Sequence, residues 1–240
     1  MNTTRRSFLS HLALGLSSIV PASSVVLAQV ADPGQRPRNP ALIPIEDQPG
    51  LPRVLLIGDS ISIDYTLAVR ALLEGVANVH RIPANGESTV RGLENLDDWL
   101  GSKPWDVIHF NWGLHDLKLS PSGTRIVSPE RYESNLRELA IRLKRTGAHL
   151  IFATTTPVPR AVRGVARDPA DPPRYNEVAH RVMLELDIPI NDLHAFVQSQ
   201  PGDLQIPRNV HFTPEGSKVI ARPIADAIRA ALKTRAAKRD

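Results

Sequence analysis

The chain reads as an α/β protein built on a parallel, doubly wound sheet with helices on both faces. Three observations predict this. From Arg53 onward, short apolar runs alternate with stretches of helical periodicity. The clearest run, residues 54–57, is apolar throughout rather than alternating, as befits a strand buried on both faces. The 240 residues, 42% hydrophobic and 22% charged, are enough for one such domain with a full core. No internal repeat and no second domain are evident.

The elements follow in order. Residues 29–52 carry Pro33, Pro37, Pro40, Pro44, Pro49 and Pro52 without periodicity, so an extended lead-in along the domain surface is expected before a domain spanning residues 53–240. The first strand, 54–57, stops at Gly58, with Asp59 and Ser60 on the turn. A helix over 63–74 follows, carrying Ile63, Leu67, Val69, Ala71, Leu72 and Leu73. Residues 79–83 form a second strand ending in Ala84-Asn85-Gly86, and a helix runs over 88–100. The third strand is 105–110. The long helix 129–146 places Leu136, Leu139, Ala140 and Leu143 on one face and ends at Gly147. The fourth strand, 149–153, leads into Thr154-Thr155-Thr156 and a Pro- and Arg-rich loop over 157–170. A helix over 172–186, a strand at 188–190 and a short helix at 193–197 come next. Thr213 caps the last helix, with Pro214 in its first turn.

Composition excludes several chemistries. With no cysteine, there is no disulfide, thiolate metal site, thiol nucleophile or lipoprotein anchor. Residues 1–28 are similar to a twin-arginine export signal. They carry Arg5-Arg6, an apolar stretch to Val20 and a cleavage-like Val26-Leu27-Ala28. Broken by His11 and Ser17-Ser18, that stretch is too short to span a bilayer, so a periplasmic or secreted protein without an integral span is expected. Without Arg5 and Arg6 the formal net charge falls from +4 to +2. Arg229, Lys233, Arg235, Lys238 and Arg239 then read as a solvated tail rather than a nucleic-acid surface, since no aromatic residues interleave with them.

Chemistry collects where strands hand over to helices. In an open α/β sheet, ligands bind at the carboxyl edge. Ser60, Gly86-Glu87-Ser88, Gly113-Leu114-His115-Asp116, Thr154–156 and His211 all fall there. Alone, Gly58-Asp59-Ser60 fits a helix cap as well as a nucleophile. Together, a hydroxyl, an imidazole and helix-start N–H groups fit acyl transfer. The Ser60 and Gly86 N–H groups are candidate oxyanion donors, and glycine at 86 allows close backbone approach.

Four blocks carry a resemblance. Gly-Asp-Ser-Ile-Ser at 58–62, Asn-Gly-Glu-Ser at 85–88, Gly-Leu-His-Asp at 113–116 and Val-His-Phe-Thr-Pro-Glu-Gly at 210–216 stand in the order of the SGNH, or GDSL-type, hydrolases. The similarity covers residues 53–234; the first and last blocks together are fairly specific and the middle two loose. The resemblance implies a three-layer α/β/α fold with a flavodoxin-like, parallel five-stranded sheet. It implies Ser60 as nucleophile, His211 as base and Gly86 N–H in the oxyanion hole. Two departures follow. The family's third block reads Gly-x-Asn-Asp, its asparagine donating to the oxyanion; here His115 holds that place, and Asn111 is another candidate donor. A neutral histidine donates only if its tautomer is set. The last block normally reads Asp-x-x-His, but here Arg208 stands three before His211, and residue 209 is an uncharged Asn. Asp203, Asp192 or a backbone carbonyl is left to orient the base.

Other residues carry plainer expectations. Asp59 and Asp116 structure their loops. His109 and His149 are structural, and His80, His180 and His194 isolated. Trp112 serves either the pocket wall or the core. Arg160, Arg163 and Arg167 are a solvated loop or contacts for an anionic or sugar substrate. No metal spacing fits His115-Asp116, and no cofactor is expected. The expected function is an exported serine esterase removing a small acyl group, such as acetyl, from a small molecule or carbohydrate. The alternatives are a catalytically weak binder of such a ligand and a glycan O-acetyltransferase.

Overall fold

The structure, a computed structural model, describes residues 39–236. The expected export signal and the first part of the lead-in lie outside the described residues. Five strands, β1 (Arg53–Ile57), β2 (Asn78–Arg81), β3 (Val107–Phe110), β4 (His149–Ala153) and β5 (Ile190–Asn191), pair in the order β2-β1-β3-β4-β5. All pairs are parallel, with Leu55 opposite both His80 and Ile108. Val54, Leu56 and Ile57 of the first strand, and Val107, Ile108 and Phe110 of the third, are fully buried, which is why their runs are apolar throughout.

Helices α1 (Ser60–Leu72), α5 (Leu193–Ser199) and α6 (Pro214–Ala236) cover one face. Helices α2 (Thr89–Leu100), α3 (Pro129–Lys144) and α4 (Asp171–Glu185) cover the other, completing three layers. Among the described residues no helix is long and apolar enough to cross a membrane.

Several boundaries differ from expectation by a residue or more, and three have a visible cause. Helix α1 starts at Ser60, not 63, because Asp59 supplies the N-cap: its Oδ1 accepts from the Ile61 N–H at 2.9 Å. Pairing of the fifth strand begins at Ile190, not 188, since Pro189 has no N–H and offers only its carbonyl, to Phe152 N. The third strand starts at Val107, because Trp105 is used otherwise. Its ring lies under the Arg53 guanidinium at 3.9 Å and its Nε1 donates to the Leu100 carbonyl.

The described part of the lead-in holds one short 3₁₀ turn (Pro40–Leu42) with Ala41 buried. It is tied down by Asp47, which accepts from Arg53 Nε and Lys103 Nζ and bonds His80 Nε2. Gln48 exchanges bonds with the Asn78 side chain. His80 is therefore engaged rather than isolated.

With this strand order the sheet reverses its winding between β1 and β3. The crevice outside their carboxyl ends is where such folds take ligands. Ser60 follows β1, and the 111–116 loop follows β3.

Candidate active site

The turn after β1 is pinned from both sides. Gly58 lies so close to Ser62 that an added Cβ would meet its Oγ at 2.9 Å. The Arg81 guanidinium, buried at the end of β2, donates through Nη2 to the Gly58 carbonyl (2.8 Å), the Asp59 carbonyl (3.0 Å) and Ser62 Oγ (2.8 Å). Burial holds its pKa down at about 10, still far above neutrality. Sequence reasoning missed Arg81. The available signal was a cation at the end of a short strand, directly before the Ile82-Pro83 turn into Asn85-Gly86. Asp59 itself is 3% exposed and spent on the α1 cap, and burial pushes its carboxyl up. Because Asp59 caps the helix, the Ser60 hydroxyl is released from that duty.

That hydroxyl meets His211. Ser60 Oγ lies 2.9 Å from His211 Nε2, across 151 residues of sequence. His211 stands on a small hairpin before α6, in which Ile206 N donates to the His211 carbonyl and Thr213 N to the Leu204 carbonyl. The hairpin turn carries Arg208 at φ 58 and places Asn209 beside the imidazole.

Asn209 is the group that orients the His211 ring. Its Oδ1 accepts from the His211 backbone N–H at 3.1 Å and lies 2.9 Å from His211 Nδ1. The backbone N–H can only donate, so the amide oxygen, not the nitrogen, faces His211. Nδ1 therefore carries a hydrogen, and the lone pair of Nε2 faces the Ser60 hydroxyl. This corrects the expectation for Asp203 and Asp192. Asp203 is exposed, with no bond to His211. Asp192 caps α5 through Ala195 N and accepts from Thr154 Oγ1. Asn209 was passed over because it is uncharged, yet asparagine readily bonds the N–H two residues on.

The candidate oxyanion donors are differently placed. The Gly86 N–H is committed to the Gly58 carbonyl at 2.9 Å, and Asn111 Nδ2 donates to the Ala153 carbonyl at 2.7 Å. Both bonds hold the rim together: the Gly86 N–H is thereby spent, which corrects the expectation that it is free for an oxyanion, while Asn111 Nδ2 keeps its second hydrogen. The Ser60 N–H, in the first turn of α1, has no acceptor within its helix. His115 is partly exposed; its Nε2 lies 4.0 Å from Asp59 Oδ2 and its Nδ1 is 2.8 Å from Lys118 Nζ. Burial, reinforced by Lys118, Arg167 and His211, pushes the His115 pKa down to about 3, so the ring is neutral.

The remaining expectations resolve individually. Asp116 is fully buried and accepts from the Thr89 N–H at 3.0 Å and the Thr89 hydroxyl, clamping the start of α2 to the loop. Burial raises its pKa to about 7. Trp112 is core, 1% exposed, with Nε1 donating to the Gly86 carbonyl. His109 is fully buried beside Asn191, and burial lowers its pKa to about 4. Arg160 and Arg163 are exposed, whereas Arg167 donates through Nε to the Leu114 carbonyl at 2.9 Å. A groove of about 990 Å³ lies beside the hairpin, lined by Leu67, Ala68, Leu72 and Phe212 among others and reaching His211 and Asn209. Among the described residues no three His, Asp or Glu side chains gather as a metal site.

A hydroxyl bonded to a tautomer-fixed imidazole, beside the Ser60 N–H at a helix start, has the parts needed for acyl transfer. Residues 56–219 match the GDSL-like Lipase/Acylhydrolase family. Solved structures share the fold. The lipase/acylhydrolase from Enterococcus faecalis is 18% identical, covering 75% of this chain and 96% of its own, with a TM-score of 0.66. The acetyl xylan esterase AlAXEase is 17% identical over 73% and 99%, with a TM-score of 0.63. A catalytic mutant of an acetylxylan esterase from Geobacillus stearothermophilus is 18% identical over 76% and 94%, with a TM-score of 0.60. No curated protein matches the chain.

Proposed function

Because the chain belongs to the GDSL-like lipase/acylhydrolase family, whose members hydrolyse ester bonds, we propose that it is a serine esterase with Ser60 as nucleophile and His211 as base. The observation that carries this reading is the 2.9 Å contact between Ser60 Oγ and His211 Nε2. Ser60 Oγ attacks the ester carbonyl while Nε2 takes its proton. The oxyanion forms next to the Ser60 N–H at the positive end of α1. His211 then returns the proton to the departing alcohol, and water, activated the same way, releases the acid. Asn209 keeps the hydrogen on Nδ1 throughout. Being neutral, it stabilises the imidazolium less than a carboxylate does, so a modest turnover is expected.

The proposed substrate is a small acyl ester, acetyl being the simplest, on a carbohydrate or small molecule. Two of the similar structures bear the names of acetyl xylan esterases, which supports that choice. The twin arginines at Arg5-Arg6 support export to the periplasm or beyond. The neutral Asn209 also favours a second reading, a weak catalyst that retains an acyl or glycan ligand. Hydrolysis of p-nitrophenyl acetate by the wild type and by Ser60→Ala decides between them. The esterase reading expects turnover in the first and a loss of at least about 10⁴-fold in the second. Activity absent from the wild type, or undiminished in the variant, refutes it. Acylated product on an added glycan acceptor would mark a transferase.

A further inference from the structure

We propose that Lys118 sets the tautomer of His115, so that the His115 Nε2–H becomes the side-chain donor to the oxyanion in place of the asparagine found in similar enzymes. This rests on the esterase reading above. The argument starts from the loop after β3. Its backbone is held on both sides of His115: Arg167 Nε donates to the Leu114 carbonyl at 2.9 Å, and buried Asp116 is clamped to Thr89. The ring therefore has little freedom to swing away.

Its two nitrogens face different partners. Nδ1 lies 2.8 Å from Lys118 Nζ, one turn on. An ammonium has hydrogens and no lone pair, so Nδ1 must accept. A neutral imidazole that accepts at Nδ1 carries its hydrogen at Nε2. Neutrality follows from burial and from the cations around the ring: Lys118, Arg167 and, when protonated, His211. The Nε2–H then points to the side of the ring where Asp59, the neighbour of Ser60, stands. At 4.0 Å the Asp59 carboxylate is beyond hydrogen-bonding reach. Among the described residues nothing accepts from Nε2. A fixed donor without a partner, beside the nucleophile residue, is what a developing oxyanion requires. Of the other candidate donors, the Gly86 N–H is already bonded to the Gly58 carbonyl, and Asn111 Nδ2 is anchored to the Ala153 carbonyl by one of its two hydrogens.

Lys118 is thus a positioning residue and His115 the group that touches the reacting oxygen. Three variants test this: Lys118→Met, Lys118→Arg, and Lys118→Met placed in a His115→Asn background. Turnover of p-nitrophenyl acetate is read beside the ¹⁵N shifts of the His115 ring. Lys118→Met is expected to lower kcat by about 10- to 100-fold with KM little changed, a fraction of the loss of one whole oxyanion donor. Its ¹⁵N spectrum should gain Nδ1–H population. Lys118→Arg, which keeps the donor, should restore the wild-type spectrum and most of the rate. In the His115→Asn background, where no tautomer exists to be set, Lys118→Met should change kcat by less than about twofold. An Nδ1–H His115 in the wild type overturns the proposal even if Lys118→Met does not fold. So does an equal loss in the His115→Asn background. Ser60→Ala measured alongside keeps the two claims separate. Undiminished activity there defeats the esterase reading, while the ¹⁵N shifts still report what Lys118 does to His115.

Discussion

The two sides of the site each use a histidine, and the two histidines are held in opposite tautomers by opposite partners. On the hairpin, an acceptor, Asn209 Oδ1, keeps the hydrogen of His211 on Nδ1 and turns a lone pair toward Ser60. On the loop after β3, a donor, Lys118 Nζ, takes the lone pair of His115 Nδ1 and leaves a hydrogen on Nε2. One ring is thereby prepared to take a proton and the other to donate a hydrogen bond. The difference shows that residue type does not settle the chemistry of an imidazole. The atom 3 Å from its remote nitrogen does.

The base side should fail hardest. His211→Ala is expected to lower kcat by about 10⁴- to 10⁶-fold, as when a catalytic base is lost elsewhere. Asn209 sharpens the comparison more finely. Asn209→Leu removes the acceptor and frees the tautomer, with an expected loss of about 10²- to 10³-fold. Asn209→Asp keeps the acceptor and adds a charge to stabilise the imidazolium, so kcat should rise by about tenfold. Single-turnover and steady-state rates on p-nitrophenyl acetate measure all three. A fall in Asn209→Asp would mean that the neutral amide, not the missing charge, suits this hairpin.

The other side should fail through its backbone. A Cβ on Gly86 would sit 2.8 Å from the Gly58 carbonyl oxygen, backbone that cannot swing aside. Gly86→Ala should therefore push the β1–α1 turn and loosen the Gly86–Gly58 bond beside Ser60. We expect a stability loss of about 1–3 kcal/mol from the overpacked contact, seen as a lower urea midpoint. A fall in kcat should accompany it, smaller than that of His211→Ala. An intact rate would show that the oxyanion side tolerates movement of this rim.

Much of this was legible in the sequence. The apolar runs foretold where along the chain the strands fall, the family resemblance implied the parallel five-stranded sheet, and Gly58-Asp59-Ser60 with His211 pointed to the two side chains that meet. What stayed hidden depends on single hydrogen bonds. Nothing in spacing shows that Asp59 would cap α1 and free Ser60. Nor does it show that the Gly86 N–H would be spent on the Gly58 carbonyl, or that Asn111 would be anchored to the Ala153 carbonyl. Asn209 was discounted on charge, although its role here comes from the direction of its amide oxygen. Arg81 was hidden because five carbonyl and hydroxyl contacts make a buried cation affordable only once the turn is folded.

The smallest effect concerns stability rather than rate, and it lies under His115. Asp116 is fully buried and its pKa is raised to about 7 from an ordinary value near 3.8, with burial the main cause. The folded protein therefore holds a proton on Asp116 that the unfolded chain releases between pH 4 and 7. A carboxyl with a raised folded pKa contributes stability below about pH 4 and loses it as pH rises through 7. The loss is on the order of 1–4 kcal/mol, because about 1.4 kcal/mol accompanies each pKa unit and the Thr89 bonds favour the charged form. Asp116→Asn cannot ionise and should flatten this part of the profile. Urea midpoints for both proteins at pH 4.5 and 7.5 measure the slope. Asp59, also raised by burial, adds to the same trend in both and drops out of the difference. If the two slopes are equal, Asp116 stays ionised across the range, and its bonds to the Thr89 N–H and hydroxyl outweigh its burial.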